Sequence, residues 1–201
     1  MIDTIISDIG GVVINFTSFN NLIKELVRYS DGNGLDNNKM IDIIKLMDSY
    51  ERGIIKSFKF YDEIKRILSL EKLSFSEFSK KFCNIFSLNN EVLDIYSKLK
   101  DKFRFFYLSN TCEMHADYLD RKYNLFSLFD GGVFSYKVGY IKPENEIYRI
   151  LLGKIRRNPK ECIFIDDSEV NVEAAKTFGI KSILYTQDTD LREELNNIKV
   201  T

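Results

Sequence analysis

The sequence predicts an α/β fold: a parallel sheet with helices on both faces, and a small helical bundle inserted after the first strand. Three observations carry this. Short apolar runs of strand length recur along the chain. Helical periods separate the last four of them. Residues 17–86 hold helical periods and no convincing strand.

Taken in order, the strand-like runs are Thr4–Ser7, Arg104–Leu108, Gly132–Phe134, Cys162–Ile165 and Ser182–Tyr185. Between them, Val92, Leu93, Tyr96 and Leu99 fall at helical spacing, as do Ile147, Ile150, Leu151 and Ile155. Pro143 followed by Glu144 reads as the first turn of a helix, where proline loses no hydrogen bond. The inserted stretch divides into helices at about Ser18–Tyr29, Lys39–Tyr50, Phe58–Leu68 and Phe75–Phe86. Ser74 and Glu77 have the spacing of a capping box opening the last of these. The segment Asp31–Asn38, DGNGLDNN, is expected to be the loop joining the first two. The expected division is therefore residues 1–16 and 87–201 for the sheet core and 17–86 for the helical insert.

Composition narrows the function classes. A chain of 201 residues that is 44% hydrophobic can bury a real core. Lys and Arg number 29 against 30 Asp and Glu, so there is no broad basic field for nucleic acid or anionic lipid. Any anionic ligand must be captured by a local site. The cysteines, Cys83, Cys112 and Cys162, are odd in number and far apart, which points to reduced thiols rather than a disulfide framework. No apolar run approaches membrane-span length. Asp3 and Asp8 stand where a secretory signal would be basic and then apolar. The expectation is a cytoplasmic protein, a monomer or weak homodimer, binding a small molecule.

In open parallel sheets, ligands bind beyond the carboxyl ends of the strands. Asp8-Ile9-Gly10-Gly11 follows the first run, Ser109-Asn110-Thr111 the second, Lys142-Pro143 comes a few residues after the third, and Asp166-Asp167-Ser168 follows the fourth, with Asn171 one helical turn later. If those strands are neighbours, Asp8, Asp166 and Asp167 converge with the Ser109 hydroxyl and the Lys142 ammonium. Three close carboxylates resist ionising together. A hard divalent cation relieves that repulsion, and magnesium favours one or two carboxylates, water and a phosphate oxygen. A carbonyl in the glycine turn, at Gly10, can add a ligand. Ser109 and free N–H groups at the start of the following helix can bind phosphate oxygens. The set is suited to phosphoryl transfer.

With these residues in place, the chain resembles the haloacid dehalogenase superfamily, in its helical-cap phosphatase branch. IISDIGG matches the motif of the nucleophilic aspartate with Asp8, FFYLSNT the Ser/Thr motif with Ser109, GYIKPENEIY the lysine motif with Lys142, and CIFIDDSEVNVEAA the acidic-pair motif with Asp166 and Asp167. The resemblance spans nearly the whole chain, because the helical insert lies where that branch carries its cap. It implies a Rossmann-like core, Mg²⁺ held by Asp8, the Gly10 carbonyl, Asp166 and Asp167, and an aspartyl-phosphate on Asp8. It implies phosphate contacts from Ser109 and Asn110. Within the branch the chain is most similar to bacterial phosphatases of glucose 1-phosphate and related sugar phosphates, which share the Ser-Asn pair and a cap turn like Glu51-Arg52-Gly53. That turn is therefore expected at the substrate, as reader of the leaving group.

One departure stands out. Most phosphatases of the superfamily carry a second aspartate two residues after the nucleophile, as general acid and base; here that position is Gly10. The leaving oxygen must then depart nearly as an anion, or take its proton from water or a cap residue such as Glu51. A glycine there also allows a φ angle closed to other residues. Gly10 keeps open a second reading, an inactive relative that binds phosphorylated ligands. A haloacid dehalogenase, whose carboxylate nucleophile needs no metal, fits the acidic pair less well. A receiver domain would carry its acidic pair after the first strand rather than the fourth. His115, the lone histidine, reads as a partly exposed helix residue, and the aromatics of FKFYDE and SFSEFSKKF as core of the helical insert.

Overall fold

The computed structural model describes residues 2–17, 19–30 and 35–198. The chain opens with β1 (Thr4–Ser7) and β2 (Ile14–Phe16), then runs through α1 (Phe19–Val27), α2 (Asn37–Glu51), α3 (Ser57–Leu68) and α4 (Phe75–Cys83). After β3 (Phe86–Leu88) helices and strands alternate: α5 (Asn90–Leu99), β4 (Arg104–Ser109), α6 (Glu113–Tyr123), β5 (Gly131–Phe134), α7 (Ser135–Val138), α8 (Asn145–Ile155), β6 (Cys162–Asp166), α9 (Glu169–Thr177), β7 (Lys181–Leu184) and α10 (Leu191–Asn197).

The main sheet has the order β5-β4-β1-β6-β7, and every pairing is parallel. β1 lies at its centre, with Ser7 registered against Tyr107 of β4 and Ile165 of β6. The pleat sorts the strand residues onto two faces. Ile5, Phe105, Ile163 and Ile165 pack with Val92 and Tyr96 of α5 and with Leu191 and Leu195 of α10. Ile6, Phe106, Leu108 and Phe164 pack with Ile147, Tyr148 and Leu151 of α8 and Ala175 of α9. Each such side chain contributes about 1.5–3 kcal/mol by leaving water.

Helices α1–α4 gather around their own apolar cluster, in which Tyr50, Phe60, Phe78 and Phe82 are fully buried and stack at centroid distances of 4.4–6.5 Å. Cys112 and Met114, at the start of α6, belong to this cluster and tie it to the sheet. Ser74 and Glu77 form the capping box of α4.

The structure departs from the sequence reading in several places. Residues 14–16 and 86–88 pair as a small antiparallel ribbon beneath the helices. Phe86 is thus a strand residue and not the end of a helix, and α4 stops at Cys83. β7 begins and ends one residue early. Pro143 stands outside the helix: Glu144 is the N-cap and Asn145 the first helical residue, and the Lys142–Pro143 peptide is cis. α2 starts at Asn37, capped by the Asp36 carboxylate on Lys39 N, so Asn37 and Asn38 leave the expected loop; Asp31, Gly32, Asn33 and Gly34 of that loop, and Ser18, lie outside the described residues. All three cysteines are free and buried. No helix among the described residues is long and apolar enough to cross a membrane.

Candidate active site

Because β4, β1 and β6 are neighbours, their carboxyl ends bring Ser109, Asp8 and Asp166 to one place. Carboxylate oxygens of Asp8, Asp166 and Asp167 lie within 4.8 Å of one another. Lys142, on the turn before α8, reaches between two of them: Nζ is 2.8 Å from Asp8 Oδ2 and 2.6 Å from Asp166 Oδ2.

Local structure fixes each of these groups. Asp8 N donates to Ile165 O at 2.8 Å, and Asp8 Oδ1 accepts from Ile9 N at 2.6 Å. Behind it, the Tyr96 hydroxyl donates to Ser7 Oγ and Ser7 Oγ to the Asp8 carbonyl. Asp166 is fully buried and fully engaged: Oδ1 accepts from Ser168 N and from Asn171 Nδ2, both at 2.9 Å, and Oδ2 accepts from Lys142. Asp167 is exposed, and the chain turns sharply against it. Gly11 has φ +74°, which favours glycine, and a Cβ there would lie 2.0 Å from Asp167 Oδ2 and push that exposed carboxylate aside. Gly10 has no such constraint. Its φ lies outside the left-handed region, and a Cβ would meet only the Phe16 ring at 3.5 Å. The conformational reason for a glycine therefore belongs to Gly11.

The charges explain the titration. Burial pushes the Asp8 carboxyl up to about 7, with Asp166 adding to the rise and Lys142 opposing it. Burial works against the Lys142 cation, but Asp8 and Asp166 outweigh it and leave its pKa above the ordinary lysine value. Asp167 is raised by partial burial and by Asp166. One ammonium among three carboxylates leaves an excess of negative charge directed outward at Asp167. An oxygen-rich donor set of this kind fits a hard divalent cation, with Asp8 and Asp167 offering the accessible oxygens. The Gly10 carbonyl lies outside the hydrogen-bond pattern in which Ile14 N meets Ile9 O and Gly11 N meets Ile14 O, so it is available as a further oxygen.

Next to this cluster lies a cavity of about 310 Å³ between the ribbon, α2 and α6. Gly10, Ser109 and Asn110 form part of its floor, and Glu51 enters from the end of α2. The Glu51 carboxyl is raised to about 7 by burial first, and then by Asp48 and Asp8.

The other expected site residues are placed differently from one another. The Asn110 amide is spent on the backbone of Lys142, donating to its O at 3.0 Å and accepting from its N at 2.7 Å. It positions the lysine loop. Arg52 is not among the described residues lining the cavity. Its guanidinium pairs with Asp48 and with Glu144, Nη2 lying 2.9 Å from Glu144 Oε1. Beside it, Gly53 has φ +68°, and a Cβ there would lie 2.1 Å from the Tyr136 carbonyl oxygen. The Glu51-Arg52-Gly53 turn is thus docked on the sheet half, with only Glu51 turned inward. His115 is wedged between Phe82 and Phe86, and burial pulls its pKa down to about 4. It is a neutral wall group of the cavity and, as expected, a partly exposed helix residue. The N–H groups opening α6 are partly used, since Met114 N donates to the Tyr50 hydroxyl.

Several positioning residues had no signal in the sequence. Tyr96, Ser7 and Glu144 act across 89 and 92 residues of chain, and only the folded topology brings them to their partners.

Comparison with known proteins places this geometry. The haloacid dehalogenase-like hydrolase family model matches residues 2–179. The chain is 26% identical to drimenol cyclase drtB of Aspergillus calidoustus over 165 residues, 77% of this chain, but spans only 30% of that relative's length. It is 22% identical to the D-ribitol-5-phosphate phosphatase of Bacteroides thetaiotaomicron over 98% of each chain. A structure of a HAD family enzyme from Bacteroides thetaiotaomicron, in complex with magnesium and inorganic phosphate, superposes with a TM-score of 0.84 at 24% identity, covering 96% of this chain and 99% of that one. The fold is shared.

Proposed function

The chain belongs to the haloacid dehalogenase-like hydrolases, and from that premise we propose that it is a magnesium-dependent phosphatase of small phosphorylated metabolites, with Asp8 as nucleophile. The observation that carries this is the bridging of Asp8 and Asp166 by the Lys142 ammonium, with Asp167 open beside them. We take residues 17–86 as the cap over the site and place the protein in the cytoplasm as a monomer or weak homodimer. The name of the Bacteroides relative, a phosphatase of a phosphorylated sugar alcohol, supports the substrate class at the level of small metabolites.

In this reading an Asp8 carboxylate oxygen attacks phosphorus, the bond to the leaving oxygen breaks, and an aspartyl-phosphate forms. Water then attacks that phosphorus and frees Asp8. Lys142 holds the nucleophile in place and offsets its charge. Asp166 orients Lys142 and does not reach outward. Ser109 Oγ donates to a phosphoryl oxygen. Asp8, Asp167 and the Gly10 carbonyl would hold Mg²⁺, which neutralises charge on the transferring group. Gly10 carries no acid, and Glu51 is the acid among the described residues lining the cavity. With a carboxyl raised to about 7 it holds a proton for the leaving oxygen near neutrality, and as the carboxylate it accepts one from the attacking water. Arg52 serves by holding the cap turn against Glu144.

Asp8→Asn should lower turnover of 4-nitrophenyl phosphate by about 10⁴-fold or more while the fold persists. Beryllium fluoride, a mimic of the acyl phosphate, should bind the wild type in the presence of magnesium and fail to bind the variant. Appreciable turnover by folded Asp8→Asn would remove Asp8 from this role. A second reading, an inactive relative that binds phosphorylated ligands, is favoured by Gly10 alone; beryllium fluoride binding without turnover of any ester would support it.

A further inference from the structure

The cavity beside the carboxylate cluster, where the phosphatase reading puts the leaving group, has a wall chemistry of its own. Above the floor of Gly10 and Ser109 it is built from Ile14, Phe16, Met47, Ile85, Phe86 and Leu119. The described lining residues include no lysine or arginine. His115 does not supply a charge either, because its ring is wedged between two phenylalanines and Nε2 is 3.2 Å from the Phe82 carbonyl oxygen. The polar groups that remain are few. The Asn110 amide is occupied by Lys142, which leaves chiefly Glu51 and the hydroxyls of Thr17 and Thr111. A sugar or sugar alcohol would bring several hydroxyls against this wall, and a hydroxyl moved from water without a partner costs about 1–3 kcal/mol. A second anionic group would find no counter-charge among the described lining residues.

We infer that the substrate's leaving group is uncharged and apolar: an aryl-, benzyl- or short alkyl-type alcohol, and not a polyol or a second anion. This rests on the phosphatase reading, and it departs from the sugar phosphates that the family resemblance implied. Size agrees: an engineered apolar cavity of about 150 Å³ holds a benzene molecule, and this one measures about 310 Å³. Glu51 is the single acid among the described residues of a mostly apolar wall, placed to meet one leaving oxygen rather than an array of hydroxyls.

The test separates wall chemistry from leaving-group acidity. Alkanols and benzyl alcohol are no more acidic than polyols, whose neighbouring hydroxyls assist ionisation, so a preference for their phosphates cannot come from a better leaving group. With magnesium present, kcat/KM should rise about fourfold per methylene from ethyl to butyl phosphate. Benzyl phosphate should exceed glycerol 3-phosphate and ribitol 5-phosphate by about tenfold or more. Met47→Gln, similar in length, should reduce the benzyl-to-glycerol ratio several-fold. Polyol phosphates hydrolysed as well as benzyl phosphate, or better, would overturn the inference and leave the phosphatase reading standing. If no ester is hydrolysed, the phosphatase reading falls, and calorimetry with non-hydrolysable phosphonates decides the wall chemistry. Tighter binding of benzylphosphonate than of 2,3-dihydroxypropylphosphonate would sustain it; equal or weaker binding would overturn it.

Discussion

The strand ends of the sheet and the helical insert above them are built by opposite means. At the strand ends, cohesion is polar and saturated. Asp166 accepts from Ser168, Asn171 and Lys142, Lys142 also reaches Asp8, and its backbone is gripped by Asn110. In the insert, cohesion is a stack of aromatic rings with few directional bonds. A saturated polar network has one arrangement and fails when a member is removed. An apolar cluster tolerates exchange of side chains at similar volume. The difference teaches where invariance is needed: on the proposed reading, the phosphoryl chemistry sits on the part that cannot be rearranged, and the choice of leaving group on the part that can.

The strongest way to break this comparison is Lys142→Met. It leaves Asp8 and Asp166 buried without their cation, at a cost of about 3–5 kcal/mol. For a chain of this length that is a fall in Tm of roughly 10 °C, together with loss of turnover. A fall of only about 2 °C by calorimetry would mean that the network is not what holds the strand ends.

The two adjacent aspartates sharpen it. Asp166→Ala strands a buried donor at Asn171 Nδ2 and a part-buried one at Ser168 N, and should cost about 1–3 kcal/mol of stability. Asp167→Ala, at an exposed position, should leave Tm nearly unchanged while raising the magnesium needed for half-maximal activity about tenfold or more. Titration of activity against magnesium in both variants checks the division. Equal metal dependence in wild type and Asp167→Ala would contradict it.

Glu51 tests the junction of the two regions. Loss of its proton should lower the rate on alkyl phosphates relative to that on 4-nitrophenyl phosphate as pH rises past about 7, ionisation of Asp8 being common to both. Glu51→Gln should lower the alkyl rate by about 10²-fold and the nitrophenyl rate only a few-fold. The stability change has a definite sign. The folded carboxyl is raised from 4.5 to about 7, so its contribution is complete below 4.5 and drains away as pH rises to about 7. Glutamine has no such loss, and Glu51→Gln should be the more stable protein above pH 7. A wild-type series independent of leaving-group acidity, together with an unaffected Glu51→Gln, would place the proton donor elsewhere.

The smallest effect belongs to Arg52. The pair with Glu144 is half-exposed and worth about 1 kcal/mol or less. Arg52→Ala should lower Tm by roughly 2–4 °C and reduce kcat/KM to a similar extent across substrates, because the side chain docks the turn and does not line the cavity. A change in substrate ranking would instead put Arg52 at the leaving group.

Much of the core was legible because parallel strands write themselves locally. Ile5-Ile6, Phe105-Phe106 and the run Cys162–Ile165 are continuous apolar stretches, buried on both faces, and the residues after them must lie at one edge. The acids, the serine and the lysine could be named from position alone. The ribbon of 14–16 with 86–88 could not, since neither half has a partner within reach in sequence. Nor could it be read which of two successive glycines the turn needs: it is Gly11, with φ +74°, and not Gly10. Glu51 and Arg52 are neighbours in sequence, yet α2 ends between their tasks and turns one inward and the other to Glu144.

The three buried thiols report on two different parts of the structure. Cys83 and Cys112 lie in the cluster that joins the helices to α6, whereas Cys162 lies under the far face of the sheet. Burial pushes the Cys83 and Cys162 thiols up to about 12 and raises Cys112 well above the ordinary thiol value, so none reacts appreciably while the structure stays closed. Alkylation of Cys112 therefore counts openings of the junction, and alkylation of Cys162 counts openings of the sheet. The ratio of the two labelling rates compares openings of the junction with openings of the sheet. A bound leaving group that bridges Glu51 and Ser109 should slow the first rate and leave the second alone.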